Sequence, residues 1–317
     1  MTDGFDSPIA TAAATAAAVK AGALSPLAKP ARTRIFTVSN QKGGVGKTTS
    51  TVNLAAALAL HGQQVLVIDC DPQGNASTAL GVDHHGGTPD TYEVLIDDRP
   101  LVEVVVPAPA IADLWCAPAT IDLAGAEVEL VGKVAREHRL RRALAEYLPE
   151  HERRHGRLDY VFIDCPPSLG QLTLNALVAA EEVLLPIQCE YYALEGVTQL
   201  THTIDLVRRE LNPPLRVTTV LLTMYDARTK LSLQVADEVR KVFGNIVLRT
   251  QIPRSVRLSE APSYGETVLT YDPGSTGALA YLDAAREVAQ GPGEVSVRTG
   301  QSAAHQSVVG QPVGEQR

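Results

Sequence analysis

The 317-residue chain has only four cysteines, Cys70, Cys116, Cys165 and Cys189, widely spaced and without a C-x-x-C pair. That spacing argues against a zinc site and fits a reducing cytosol. No run of 18 or more strongly apolar residues is present, so nothing reads as a membrane span. Positive charge is in deficit: 28 Lys and Arg stand against 36 Asp and Glu, a net charge of −8. A protein of that balance is no generic polyanion binder, and contact with nucleic acid would need a local patch. Helix-turn-helix signatures, zinc-finger signatures and internal repeats are also missing. An apolar content of 45% is nevertheless ordinary for a globular chain of this length, and one large α/β domain is expected.

What is present is concentrated between residues 42 and 49. Lys42, Gly43, Gly44, Val45, Gly46, Lys47, Thr48 and Thr49 follow a short β-branched run, Arg34 to Ser39, and precede an Ala- and Leu-rich stretch from Thr48 to Leu60. The order is strand, glycine loop and helix, which converges backbone N–H groups and a helix N-terminus on an anion. Gln41 stands where the strict G-x-x-x-x-G-K-[ST] pattern has its first glycine. Lys47 takes the usual role at the β- and γ-phosphates, and Thr48 places its hydroxyl on Mg²⁺. Lys42 is then left over: it either crosses to a second nucleotide or is a solvated surface lysine. The guanine-reading N-K-x-D pattern is absent, which favours ATP as the cofactor over GTP.

Three carboxylates sit at the ends of apolar runs. If the strand ending at Asp69 stays extended through Asp71, alternation puts both on one side. Water activation is then assigned to Asp71 and the metal side to Asp69; a capped turn built from Asp, Pro, Gly and Asn is the competing reading. The run Tyr160 to Asp164 is a strand ending in Asp, the Walker B pattern, which makes Asp164 a Mg²⁺ ligand directly or through water. Cys165 has no histidine near it in sequence and is followed by two prolines, so it is not read as a nucleophile.

Further apolar runs recur at 65–69, 114–117, 183–187, 217–223 and 246–252. Helical stretches are expected at 125–147, 169–180, 194–211, 231–243 and 275–288. The alternation predicts an α/β fold, a mostly parallel twisted sheet with helices on both faces, and the glycine loop at 42–49 makes it a P-loop NTPase. Residues 1–32, rich in alanine with Pro26 and Pro30, read as a mobile extension; 33–290 form the ordered ATPase core; and 291–317 read as a disordered tail. Between Arg228 and Arg257 seven basic residues meet only two acidic ones, the footprint expected for duplex backbone with little sequence preference. No aromatics interleave them, so base stacking is not indicated.

These residues together resemble the ParA/Soj chromosome- and plasmid-partitioning ATPases, within the deviant Walker A group that also includes MinD. The likeness runs through Asn40–Gly44, Asp69–Asn75, Asp164–Leu169, Leu222–Thr229 and Ile252–Ser263. The resemblance implies a homodimer formed with ATP, in which Lys42 reaches across to the partner's nucleotide. Lys47, Thr48, Asp71 and Asp164 serve ATP, Mg²⁺ and water, and Met224 and Pro253 lie near the adenine. It further implies that Arg228 and Arg257 contact nonspecific double-stranded DNA, and that a ParB-like centromere-binding protein stimulates slow hydrolysis through a basic N-terminal peptide. The expected location is cytoplasmic and nucleoid-associated, with no membrane attachment. Two other functions compete. A MinD-like membrane switch needs a terminal amphipathic helix, for which Val295, Val297, Val308 and Val309 offer too few apolar groups. A metabolic ATP-dependent ligase on the same scaffold would need a pocket for a carboxylate substrate, which sequence does not exclude; a reductase would need cluster-sharing cysteines, which the four here do not suggest.

Overall fold

The computed structural model describes residues 8–191 and 195–291. The chain enters through α1 (Pro8–Lys20) and then alternates: β1 (Arg34–Val38), α2 (Lys47–Leu60), β2 (Val65–Asp69), α3 (Asn75–Ala79), α4 (Thr91–Ile96), β3 (Val106–Pro107), β4 (Leu114–Ala117), α5 (Leu123–Glu129), α6 (Arg139–His155) and β5 (Tyr160–Asp164). It continues through α7 (Gln171–Ala179), β6 (Glu182–Gln188), α8 (Glu195–Glu210), β7 (Arg216–Tyr225), α9 (Lys230–Phe243), β8 (Val247–Pro253), α10 (Val256–Glu260), α11 (Val268–Tyr271) and α12 (Thr276–Gln290). Eight strands make one sheet in the order β3-β4-β2-β5-β1-β6-β7-β8. Every pairing is parallel except that of the two-residue edge strand β3 with β4.

The central strands are buried along their whole length because helices cover both faces, so they read as unbroken apolar runs. Alternation decides which face each residue serves. Phe36, Val65, Val67, Tyr160 and Phe162 pack with Leu54 and Leu58 of α2 and Leu282 of α12. Leu66, Ile68, Val161 and Ile163 face the other way, onto Leu140 and Leu144 of α6 and Leu172 and Ala176 of α7. β1 lies between β5 and β6, and its register with β5 sets Val38 level with Asp164. The β2–β5 register sets Asp69 level with Asp164 as well. The carboxyl edge of these three strands is therefore one row, and ligands in such sheets bind along that edge.

Two expectations are corrected. The segment expected to be a mobile extension is, from residue 8, a helix followed by a strap laid against the body. Val19 is buried in the core, and Leu24 and Leu27 pack on it. Leu27 N–H donates to His61 O (3.1 Å), His61 Nδ1 to Ser25 O (2.7 Å) and Gln63 Nε2 to Leu27 O (2.8 Å). Lys29 pairs with buried Asp159 at 3.0 Å, and Arg157 bonds the carbonyls of Pro30 and Ala31. The helix expected over 125–147 is two: α5 ends in a 3₁₀ turn at Leu130–Gly132, and α6 starts only at Arg139. Ala135 between them is left-handed, φ 48°, which no helix continues through. The tail expected to be disordered, Gly291 apart, lies outside the described residues.

Candidate nucleotide site

The loop after β1 is held from both sides before it meets any ligand. Asn40 Nδ2 donates to Pro186 O (2.8 Å), its Oδ1 accepts Lys42 N–H (3.1 Å), and Thr223 Oγ1 on β7 donates to Val45 O (2.8 Å). Gly46 caps α2 with φ 86°, a left-handed conformation a side chain would strain. Gly43 and Gly44 are exposed, leaving their backbone N–H groups open to an anion.

Lys47 opens α2 and is 93% buried by area, with only 7% exposed. Its ammonium rests on Lys42 O at 3.3 Å. Burial lowers its pKa, against the pull of Asp164, Cys165 and Asp71. Thr48 Oγ1 donates to Asp164 Oδ2 at 2.7 Å, and Thr51 Oγ1 donates to Oδ1 at 2.9 Å. Asp164 is fully buried, and its pKa is pushed up by that burial first and by the neighbouring Asp69 carboxylate second. A crowded row of carboxylates beside one buried ammonium is chemistry that a divalent cation and a polyphosphate would jointly relieve. No three His, Cys, Asp or Glu side chains among the described residues could hold a metal unaided. That suits Mg²⁺, which keeps several waters and takes ligands from phosphate, better than a metal held by protein alone.

Asp69, expected on the metal side, has both carboxylate oxygens bonded to protein donors. Its Oδ1 accepts Asp71 N–H (3.1 Å), and its Oδ2 accepts both Ser77 N–H (2.9 Å) and Ser77 Oγ (2.7 Å). Both oxygens are thus committed to the turn that launches α3. β2 stops at Asp69, so strand alternation does not carry to Asp71, and the capped-turn reading describes the backbone here. Asp71 itself is mostly buried: its Oδ1 accepts Gln73 N–H (3.0 Å), and its Oδ2 has no partner among the described residues. Thr51, Ser77, Asn40 and Thr223 were missed in the sequence. Thr51 carried a signal, since it lies four residues after Lys47 and so one helical turn along the same face. The other three are brought in by tertiary contact.

Met224 and Pro253 do come together, in a cavity of about 120 Å³ also lined by Gly46, Thr49, Thr223 and Tyr281. Burial raises the pKa values of Cys70, Cys116 and Cys165 well above the usual thiol value, which keeps them unreactive. The basic cluster is less free than its sequence count. Arg228 forms a two-pronged pair with Asp226 (both 2.9 Å), and Arg257 pairs with Glu260 (2.9 Å) and Asp272 (3.3 Å). Arg254, Arg249 and Lys241 meet Glu190, Glu287 and Glu238. Only Lys230 and Arg240 of the seven lack a carboxylate partner among the described residues.

Comparison with known proteins accords with this geometry. An AAA domain family model matches residues 33–217. The sporulation initiation inhibitor protein Soj of Bacillus subtilis is 52% identical over 256 residues, 81% of this chain and 98% of Soj. The chromosome partitioning protein ParA of Myxococcus xanthus is 52% identical over 255 residues, 80% of this chain and 87% of that protein. The chain belongs to the ParA/Soj family of chromosome partitioning ATPases. Among solved structures, cobyrinic acid a,c-diamide synthase from Mycobacterium smegmatis with bound ADP and magnesium is 40% identical at a TM-score of 0.67, over 81% of this chain and 93% of that one. The septum site-determining protein MinD of Pyrococcus horikoshii, complexed with Mg-ADP, is 25% identical at a TM-score of 0.63, over 81% and 96%. As a ParA-family ATPase the chain has the mostly parallel α/β sheet expected of it. Among the described residues no helix is long and apolar enough to cross a membrane.

Proposed function

We propose that this ParA-family protein is an ATP-switched DNA carrier: ATP joins two copies face to face, the dimer holds duplex DNA without sequence preference, and hydrolysis releases it. The observation that carries the reading is Lys42. Its side chain makes no ion pair among the described residues while its carbonyl accepts Lys47 Nζ, so the ammonium beside the phosphate loop is left for a second nucleotide. Gly43 to Thr49 would cradle the phosphates, Lys47 would bridge the β- and γ-phosphates, and Met224 and Pro253 would flank the adenine. Mg²⁺, when bound, supplies charge neutralisation between the terminal phosphates, and Thr48 and Asp164 are the residues that would hold it. Asp71, with one carboxylate oxygen uncommitted, orients and deprotonates the attacking water. Arg228 and Arg257 are the DNA contacts. Their carboxylate partners lie at the surface, where ion pairs contribute little, so phosphates can replace them.

A ParB-like centromere-binding protein is the partner that stimulates hydrolysis, and the location is cytoplasmic, on the nucleoid. The M. smegmatis cobyrinic acid a,c-diamide synthase is the ground for a second reading, an ATP-dependent ligase acting on a carboxylic acid. Phosphate release separates the two: acceleration by DNA together with a ParB-like protein is expected, and acceleration by small acids alone would contradict the carrier function. The membrane-switch reading concerns residues 295–309, outside the described ones, and no observation here favours it.

A further inference from the structure

α7 begins without a cap of its own. Its N-cap residue is Gly170, which has no side chain to accept the free N–H groups of the first turn. Glu127 supplies the acceptor from α5: its Oε2 accepts Gln171 N–H at 2.6 Å, and its Oε1 accepts Leu172 N–H at 3.4 Å. Glu127 is half-buried and makes no ion pair among the described residues, so the positive end of α7 is what its charge meets. Gly170 serves the same contact. Its φ of −84° and ψ of −163° are an extended conformation open to other residues, so the backbone there does not require glycine. A Cβ at that position, however, would fall on the Glu127 carboxylate.

The cap sits one stiff loop away from the nucleotide site. Residues 165–170 run from Asp164 to α7; Pro166 and Pro167 restrict them, and Thr173 Oγ1 donates to Ser168 O at 2.7 Å. On the other side, α5 follows Ala119, whose N–H donates to Ser77 Oγ (3.1 Å), and Ser77 Oγ donates to Asp69 Oδ2 (2.7 Å). Asp69 Oδ1 in turn accepts Asp71 N–H, and Cys70 N–H donates to Asp164 O (2.9 Å). Glu127 thus closes a ring of contacts that leads from the turn bearing Asp71 through Ser77, α5 and α7 back to Asp164. We propose that Glu127 is a positioning residue for ATP hydrolysis: by capping α7 it fixes the loop 165–170, and with it the Asp164 carboxylate relative to Asp71. This role rests on Asp164 serving Mg²⁺ and Asp71 serving the water, as proposed above. The phosphate loop is held instead from β6 and β7, through Pro186 O and Thr223, so nucleotide affinity does not pass through Glu127.

Basal phosphate release by the full chain, at saturating Mg²⁺ and without DNA or a ParB-like protein, is the test. Glu127→Ala is expected to lower kcat about tenfold or more with KM for ATP unchanged, the usual effect of losing a group that orients a metal's ligand. Glu127→Gln keeps one acceptor oxygen for Gln171 N–H and should retain most of the activity. Gly170→Ala displaces the carboxylate without altering it and should match Glu127→Ala. The double variant should lose no more than either single one, because both remove the same contact. Parental kcat in Glu127→Ala or Gly170→Ala, a rise in KM in place of the fall in kcat, or multiplied losses in the double variant would overturn the inference. Loss of DNA retention in the parent would strike the carrier function and leave this role standing, whereas a Mg²⁺ requirement unchanged in Thr48→Val would remove the metal from Asp164 and this role with it.

Discussion

Asp69 and Asp71 stand two positions apart and have different hydrogen-bond partners, from which we propose different tasks. Asp69 spends both oxygens on Asp71 and Ser77, whereas Asp71 keeps one oxygen uncommitted. Asp71→Ala is expected to slow phosphate release by about 10²-fold or more, the usual worth of a positioned base. Release at the parental rate would remove Asp71 from the mechanism. Asp69→Asn should leave the Mg²⁺ requirement unchanged and instead lower stability to urea by about 1–3 kcal/mol, since buried donors lose their acceptor. Thr48→Val should raise the Mg²⁺ concentration needed for half-maximal hydrolysis about 10–100-fold, as loss of a group serving a metal does. Legibility at this scale was partial. That Lys42, Lys47, Thr48 and Asp164 lie together was legible, because motif spacing puts the first three in the loop and helix after β1 and the last at the end of β5 beside it, whereas the surroundings of Asp69 depend on Ser77, whose position only the folded turn after Gly74 brings close.

At the scale of elements, the strands were the most legible part of the fold. β2, β4 and β5 coincide with their apolar runs because burial on both faces leaves no room for polar residues. The strap after α1 was not legible. It is held largely through the main-chain carbonyls of Ser25, Leu27, Pro30 and Ala31, which every residue possesses, and α1 has too many alanines to show a face. Gly274 meets α1 at Ala12 and Ala16, a contact made possible by small residues on both sides. Starting the chain at Thr33 would uncover Val19's site and those of Leu24 and Leu27; the stability lost should be about 3 kcal/mol, read from urea unfolding. The strap also brings a pH dependence. Burial lowers the pKa of His61, whose Nδ1–H donates to Ser25 O while Nε2 is buried without a partner. Below the ordinary histidine value of about 6.5 the unfolded chain takes up the proton first, so stability falls as pH drops through that value. His61→Asn, which keeps a donor toward Ser25 O, should show a shallower fall between pH 7.5 and about 5.5 in parallel unfolding curves.

At the scale of the whole molecule, a net charge of −8 must be reconciled with the proposed DNA carriage. The count of basic residues between 228 and 257 overstated the free charge, because folding brings in Asp226, Glu190, Glu260, Asp272 and Glu287 from outside that window. A single copy therefore presents a weak patch, and under the proposed function doubling it through ATP would give a state with more phosphate contacts. Arg228→Glu or Arg257→Glu should abolish ATP-dependent retention on nonspecific DNA while nucleotide binding persists; unchanged retention in both would refute the assignment. All of this depends on Lys42 joining two copies around two nucleotides. The decisive measurement is the solution mass of the protein with ADP, with ATP, and with ATP in Lys42→Ala. The account predicts a dimer with ATP that is absent with ADP and lost in the variant; a Lys42→Ala protein that dimerises with ATP as the parent does would contradict it.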